Sequence, residues 1–250
     1  MTHKPVAMLY KIPLHRYIFS LLTLFFFHCA GSMAQPTTTS AYGVEIITKI
    51  ADYQKIVQAD TAKRMVSLKK YIPHIIYDLK YGTINNFMHR QMYAPRPRQT
   101  FLRQPAALAL AQVQHELNSK GYGLKIFDAY RPYSVTVRFW ELVKDDRYVA
   151  NPSKGSGHNR GLAVDLTIVE LATGQELDMG TGFDNFTDSA HLGFMDLPAV
   201  VLGNRRFLKG IMERYGFTAL ETEWWHFYWP NDRGYEVLDL PFRKLKRAAR

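Results

Sequence analysis

The chain has 250 residues, 47% of them hydrophobic, 22% charged, and a formal charge of +10 at pH 7. Such a composition is ordinary for a globular protein with one good core. The basic excess suits surroundings rich in anionic polymers, but no Arg/Lys stripe interleaved with aromatics points to nucleic-acid binding, which is not expected.

Residues 1–34 read as a secretory signal peptide. Lys4, Lys11 and Arg16 precede an apolar run from Tyr17 to Phe27, and Ser32-Met33-Ala34 places small residues at the two cleavage-determining positions. The run is shorter than the ~20 residues that cross a bilayer, so no stable membrane insertion is expected once it is removed. A retained anchor is the alternative. Cys29 raises a lipoprotein reading as well, although Phe26-Phe27-His28 lacks the small residues that such processing prefers. Cleavage after Ala34 would leave residues 35–250 as a single domain, without the chain's only cysteine and with a charge of +7, because the segment carries three basic and no acidic residues. No disulfide could then help it fold.

Gln35 to Tyr42, with three threonines and a proline, looks like a flexible leader. Ile75 to Tyr81 is expected to be a strand, and the polar, proline-bearing stretch Thr83 to Gln104 a long loop of the kind that often carries function. Pro105 to Lys120 has helix-forming composition, with Leu108, Ala111 and Leu117 at helical spacing, Pro105 in the first turn and Gly121 as its stop. A short strand from Leu124 to Phe127 runs into Asp128-Ala129-Tyr130-Arg131-Pro132-Tyr133, where the proline holds Arg131 in extended geometry. Ser134 to Val143 reads as a helix capped by Ser134, and 147–157 as a loop. Leu162 to Leu171 reads as a strand with Asp165 facing opposite to Val164, and Met179 to Phe194 as a loop containing Asp184, Asp188 and His191. Pro198 to Tyr215 is an amphipathic helix with Val201, Leu208, Ile211 and Met212 inward and Arg205 and Arg206 outward. A strand over 225–229 follows, and the basic residues from Arg243 to Arg250 read as a solvated tail.

The chemistry concentrates in two stretches, Ser156-Gly157-His158-Asn159-Arg160-Gly161-Leu162-Ala163-Val164-Asp165 and Glu223-Trp224-Trp225-His226. Taken singly, each His or Asp is more often a hydrogen-bonded structural residue. Together they offer two imidazoles, one ligating carboxylate and one spare carboxylate. Zinc favours N and O donors in a tetrahedron, and a catalytic site uses three protein ligands so that water keeps the fourth position. His158, Asp165 and His226 would be those ligands. Glu223 would be the base, bending towards the metal from the start of a strand in which Trp225 points away from the side His226 faces. The helical His-Glu-x-x-His of other zinc peptidases is absent. Arg131 beside such a site could stabilise a tetrahedral intermediate, or could simply pair with Asp128.

Ser-x-His-x-x-Gly-x-Ala-x-Asp at 156–165, Glu-x-Trp-His at 223–226 and Tyr-Arg-Pro at 130–132 resemble the zinc D-alanyl-D-alanine dipeptidases of the VanX type. Asp78-Leu79-Lys80-Tyr81, Asn86-Phe87 and Tyr93 extend the resemblance, which covers about residues 70–240. It implies a single-domain α+β fold with a central antiparallel sheet packed by helices, shared with the wider D-Ala-D-Ala carboxypeptidase and Hedgehog group. It also implies one zinc ion per chain and cleavage of the small D,D-dipeptide D-Ala-D-Ala into two D-alanines. By the family pattern His158, Asp165 and His226 hold the metal, Glu223 is the base and Arg131 steadies the intermediate. Ser156 and Tyr93 match positions near the substrate carboxylate, and Asp184 matches one near its ammonium. Gly157 and Leu162 depart from the residues that other members often carry. With the export signal, the leading expectation is a periplasmic dipeptidase; two other readings remain open at this level, a D,D- or L,D-carboxypeptidase trimming peptidoglycan stem peptides and a non-catalytic module stabilised by zinc.

Overall fold

A computed structural model of the protein describes Met1, Thr2, residues 37–93 and residues 97–248. The apolar run and cleavage motif of the expected signal peptide, Cys29 included, lie outside the described residues. Those from 37 onward belong to one unit, Gln35–Arg250. In chain order its elements are β1 (Thr38–Thr39), β2 (Glu45–Ile47), α1 (Ile50–Ala59), β3 (Met65–Ser67), α2 (Leu68–Tyr71), β4 (Ile76–Tyr77), β5 (Phe101–Arg103) and α3 (Gln104–Asn118). Then come β6 (Tyr122–Asp128), α4 (Tyr133–Val143), α5 (Gly157–Arg160), β7 (Ala163–Glu170), α6 (Ala199–Arg214), β8 (Thr218–Leu220), β9 (Glu223–Tyr228), β10 (Val237–Leu238) and α7 (Phe242–Ala248). The architecture is α+β, and its centre is a five-stranded sheet in the order β4-β6-β7-β9-β8. All neighbours in it are antiparallel except the edge pair β4 and β6.

β7 is the middle strand, and its alternation separates two roles. Val164, Leu166 and Ile168 join the main core, where Leu110, Val113 and Leu117 of α3 and Leu208, Ile211 and Met212 of α6 pack on the sheet. Asp165 and Thr167 point the other way and are also buried. That second face is covered because the loops after β4 and β7 fold over it with α4, bringing Tyr81, Phe87, Tyr93, Phe139 and Phe183 into one aromatic cluster. A strand covered on both faces places a polar side chain in a dry environment, where its interactions are strong.

Two irregularities aim side chains at this face. Between Ile126 and Asp128 the β6–β7 register shifts, so Asp128 pairs with Asp165 rather than following the regular ladder. On β9, Ala219 pairs with Phe227 but Leu220 pairs with Glu223, which leaves Trp224, Trp225 and His226 opposite a single step of β8. Such a bulge breaks strict alternation. Residues three apart, Glu223 and His226, can therefore face one cavity, and Trp225, which also belongs to the main core, lines it with them.

Several sequence expectations change for identifiable reasons. Thr38–Thr39 is a strand on β2, not a free leader, and both Thr37 and Thr39 donate hydroxyl bonds to the Glu45 carboxylate. The expected strand 75–81 is only two residues long before a 3-10 turn at Lys80–Gly82, and Phe101–Arg103, inside the expected loop, pairs with β3. Leu108 faces solvent while Ala106, Ala107 and Leu110 carry the inner face of α3. Ser134 lies inside α4 and donates to Asp239 instead of capping, because Pro132 takes the N-cap position. Arg205 points inward and donates to the carbonyls of Met179, Ser189 and His191. Three charge-assisted bonds at roughly 1.5–3 kcal/mol each offset the desolvation of its guanidinium. The basic C-terminus is not a free tail: Leu245 is buried against a cluster with Tyr53, Ile56 and Tyr130, which fixes α7 to the body.

Candidate metal centre

Three adjacent strands bring Asp128, Asp165 and His226 to one level, since Asp128 pairs with Asp165 and Asp165 with His226. His158 arrives from α5, a single turn whose entry is built by a capping box. Ser156 Oγ accepts from His158 N at 3.1 Å, and Asn159 Oδ1 accepts from Ser156 N at 3.0 Å. Gly161 ends the turn at φ +70°, where a Cβ would meet Met65 at 2.5 Å, so both conformation and space call for glycine there. Asn159 then ties α5 to the Arg131 segment, donating to Arg131 O at 2.9 Å and to Thr136 Oγ1 at 2.8 Å.

His158, Asp165 and His226 offer ligand atoms that all lie within 4.8 Å of one another. His158 Nε2 is 3.3 Å from His226 Nδ1 and 3.4 Å from Asp165 Oδ2, and His226 Nδ1 is 2.9 Å from Asp165 Oδ1. A tetrahedron with metal–ligand arms of about 2.0–2.2 Å has edges of about 3.3–3.6 Å; the two distances from His158 Nε2 match such edges, while His226 Nδ1 lies closer to the other Asp165 oxygen. His158 Nδ1 donates to Ala129 O at 2.6 Å, which fixes the tautomer and leaves Nε2 with its lone pair directed at the other two. The donor set fits a divalent metal ion.

The same cavity, about 230 Å³, is lined further by Tyr81, Arg131, Ser156, Asp184, Glu223 and Trp225. Glu223 Oε2 is 3.7 Å from His226 Nδ1. Arg131 donates from Nε to Asp128 Oδ2 at 2.9 Å, its Nη2 is also 2.9 Å from that oxygen, and its guanidinium lies over the adjoining rings of Tyr81 and Phe139 at 5.1 and 4.8 Å. Arg131 thus pairs with Asp128, as one sequence reading has it, and also lines the cavity, with Nη2 3.8 Å from Asp165 Oδ2.

Tyr93 is placed differently from the other candidates. It is not a lining residue; its hydroxyl donates to Asp128 Oδ1 at 2.6 Å, behind Arg131. One cavity residue that composition and spacing did not single out is Tyr81, whose hydroxyl donates to Asp184 Oδ1 at 2.9 Å. The available signal was its place in Asp78-Leu79-Lys80-Tyr81. Asp184 sits at φ +60°, a conformation costing about 1–2 kcal/mol in most residues but tolerated by Asp, and its Oδ2 is buried with no partner among the described residues.

The electrostatics divide the carboxylates. Burial alone would raise Asp165, but His158 and His226 beside it hold it well below the usual carboxylate range. Burial raises Glu223 well above its ordinary value, and Asp165 and Asp184 push it further in the same direction. Asp184 is likewise pushed up to about 8 by burial, with Tyr81 opposing. His226 is lowered by burial, which favours the neutral imidazole that ligates metal. Burial raises Asp128 too, but Arg131 and His158 offset much of that rise.

A fold with a His/Asp/His group in a partly open cavity, flanked by a spare carboxylate and an arginine held by Asp128, has the makings of a metallopeptidase. The family described as D-ala-D-ala dipeptidase, peptidase family M15, matches residues 61–244, and the chain belongs to this family. It is 34% identical over 180 residues to a D-alanyl-D-alanine dipeptidase of Escherichia coli strain K12, covering 72% of this chain and 91% of that protein. A D-alanyl-D-alanine dipeptidase of Enterococcus faecalis is 30% identical over 193 residues, covering 70% of this chain and 92% of its own. Among solved structures, a VanY D,D-pentapeptidase in complex with Zn(II) aligns with a TM-score of 0.34 at 16% identity, covering 53% of this chain and 74% of that one.

Proposed function

We propose that this protein is a zinc-dependent D-alanyl-D-alanine dipeptidase whose single ion is held by His158, Asp165 and His226. The observation that carries the reading is the convergence of those three donor groups within 4.8 Å of one another, next to a buried Glu223 that stands outside the set. Bound zinc would supply Lewis acidity, polarising the scissile carbonyl and lowering the pKa of water from ~16 to about 7.

The chain's own groups would do the rest. The raised proton affinity of Glu223 makes its carboxylate form a strong base; beside a bound cation, which favours that form, it would take a proton from the attacking water and pass it to the leaving amine. Arg131, clamped by Asp128 and two aromatic rings, presents fixed positive charge where the intermediate gathers negative charge. Tyr93 serves this step as a positioning residue, holding the far oxygen of Asp128. Ser156 already accepts from His158 N, so its hydroxyl proton is left to donate to the substrate carboxylate. The buried, unpartnered Oδ2 of Asp184 offers the substrate ammonium a hydrogen-bond acceptor, and an ammonium beside it would favour the carboxylate form that burial disfavours.

A cavity of about 230 Å³ is below the ~300–1,000 Å³ of drug-sized ligand sites and suits a dipeptide. A substrate without a free ammonium would leave Asp184 buried and unpaired, which is costly. Asp184→Asn is therefore expected to raise KM for D-Ala-D-Ala about 10- to 100-fold, the worth of one charge-assisted bond, with a smaller change in kcat. Unchanged KM would remove Asp184 from substrate binding. Purified protein should hydrolyse free D-Ala-D-Ala in preference to an N-acylated stem peptide; turnover of the acylated peptide alone would establish the carboxypeptidase reading instead. Export to the periplasm is part of this proposal, supported by the basic residues and apolar run before Ala34.

A further inference from the structure

The proposed catalytic centre leaves the strongest concentration of charge unexplained. Residues 61–77 and 240–250 contain no Asp or Glu but nine Lys or Arg, and they are far apart in the sequence. The fold joins them. α7 packs through Leu245 on the cluster that includes Tyr53 and Ile56 of α1 and Met65 of β3, next to the turn and α2 that carry the first segment. On a helix advancing ~100° per residue, docking Leu245 inward turns Arg243 and Arg247 outward, with Lys246 at their flank. All three are exposed, as are Arg64, Lys69 and Lys70 across the junction. Among the described residues none of these six is in an ion pair, whereas many other basic side chains are, for instance Lys63 with Glu236 and Lys125 with Glu176.

A groove of about 410 Å³ opens at this junction, lined by Gln54 and Gln58 of α1, Arg64, Lys70, Tyr71 and Ala248 among others, with no acidic residue in its wall. It shares no residue with the metal cavity. Cations spread over three elements are more than one small anion could meet, and they converge on no single point. They do match a surface studded with phosphates. No helix among the described residues is long and apolar enough to cross a membrane, so attachment here would be peripheral.

We propose that this face docks the protein on anionic phospholipid, with the groove receiving a phosphate-bearing headgroup between Arg64 and Lys70. Each Lys or Arg near an anionic membrane strengthens binding by a factor of about five, and the attraction fades with salt. The test is sedimentation of the full chain with vesicles of 70% phosphatidylcholine and 30% phosphatidylglycerol at low salt. Lys70→Gln/Arg243→Gln/Arg247→Gln should lower partitioning about 100-fold relative to the unaltered chain, with D-Ala-D-Ala turnover reporting that the variant is folded. A control that removes the same charge elsewhere, Lys120→Gln/Lys144→Gln/Arg206→Gln, should bind like the unaltered chain. Equal loss in both variants would mean that net charge and not this face is responsible, and equal binding of all three proteins would mean that no such face exists; either result overturns the proposal. Comparable partitioning of the unaltered chain onto vesicles of phosphatidylcholine alone would overturn it too.

Discussion

Glu223→Gln is expected to lower kcat for D-Ala-D-Ala by roughly 10²–10⁴ while leaving the metal content of the protein unchanged, which is the usual worth of a positioned base. The substitution keeps the shape of the side chain and removes only its ability to accept a proton. Glu223 stands 3.7 Å from His226 Nδ1 but outside the set of three mutually adjacent donor atoms, so its loss should not open the metal site. The cavity even makes glutamine easy to accommodate, because burial already disfavours the charged carboxylate at this position. A variant turning over near the unaltered rate would remove Glu223 from the reaction, and one that lost its metal would make it a ligand.

The largest loss is expected for His226→Ala or His158→Ala, in which metal and turnover should disappear together. A Lewis acid contributes several kcal/mol to stabilising developing charge, and each 1.36 kcal/mol is a factor of ten, so the loss should exceed about 10³. The two variants differ in their surroundings. His158 is held by the Ala129 carbonyl and by the α5 capping box, whereas His226 leans on Asp165 alone for its ring contacts with a carboxylate below 3 Å. Elemental analysis of each variant against the unaltered protein checks the expectation. Full metal retention by His226→Ala would mean that the ion sits elsewhere.

How much of this was visible in the sequence depends on the kind of contact. Spacing in 156–165 and 223–226 put His158, Asp165, Glu223 and His226 forward before any coordinates, and the structure brings these four together. Fold class followed from the same resemblance, and most helices from periodicity. What failed was decided at long range. Arg205 reads as an outward helix residue because three backbone carbonyls, 14 to 26 residues away in the sequence, cannot be read from its neighbours. Tyr93, expected near the substrate carboxylate, directs its hydroxyl to Asp128, a partner 35 residues away that its local sequence does not disclose. The β9 bulge, which lets Glu223 and His226 share a face, depends on pairing with β8 and leaves no trace in the alternation of Glu223-Trp224-Trp225-His226.

Reconstitution is the most direct trial of the central claim, that three side chains from α5, β7 and β9 grip one ion for catalysis. Protein stripped by chelator and titrated with zinc should regain D-Ala-D-Ala hydrolysis linearly and reach its plateau at one equivalent. Activity that survives stripping, or a plateau only at two equivalents, would contradict it.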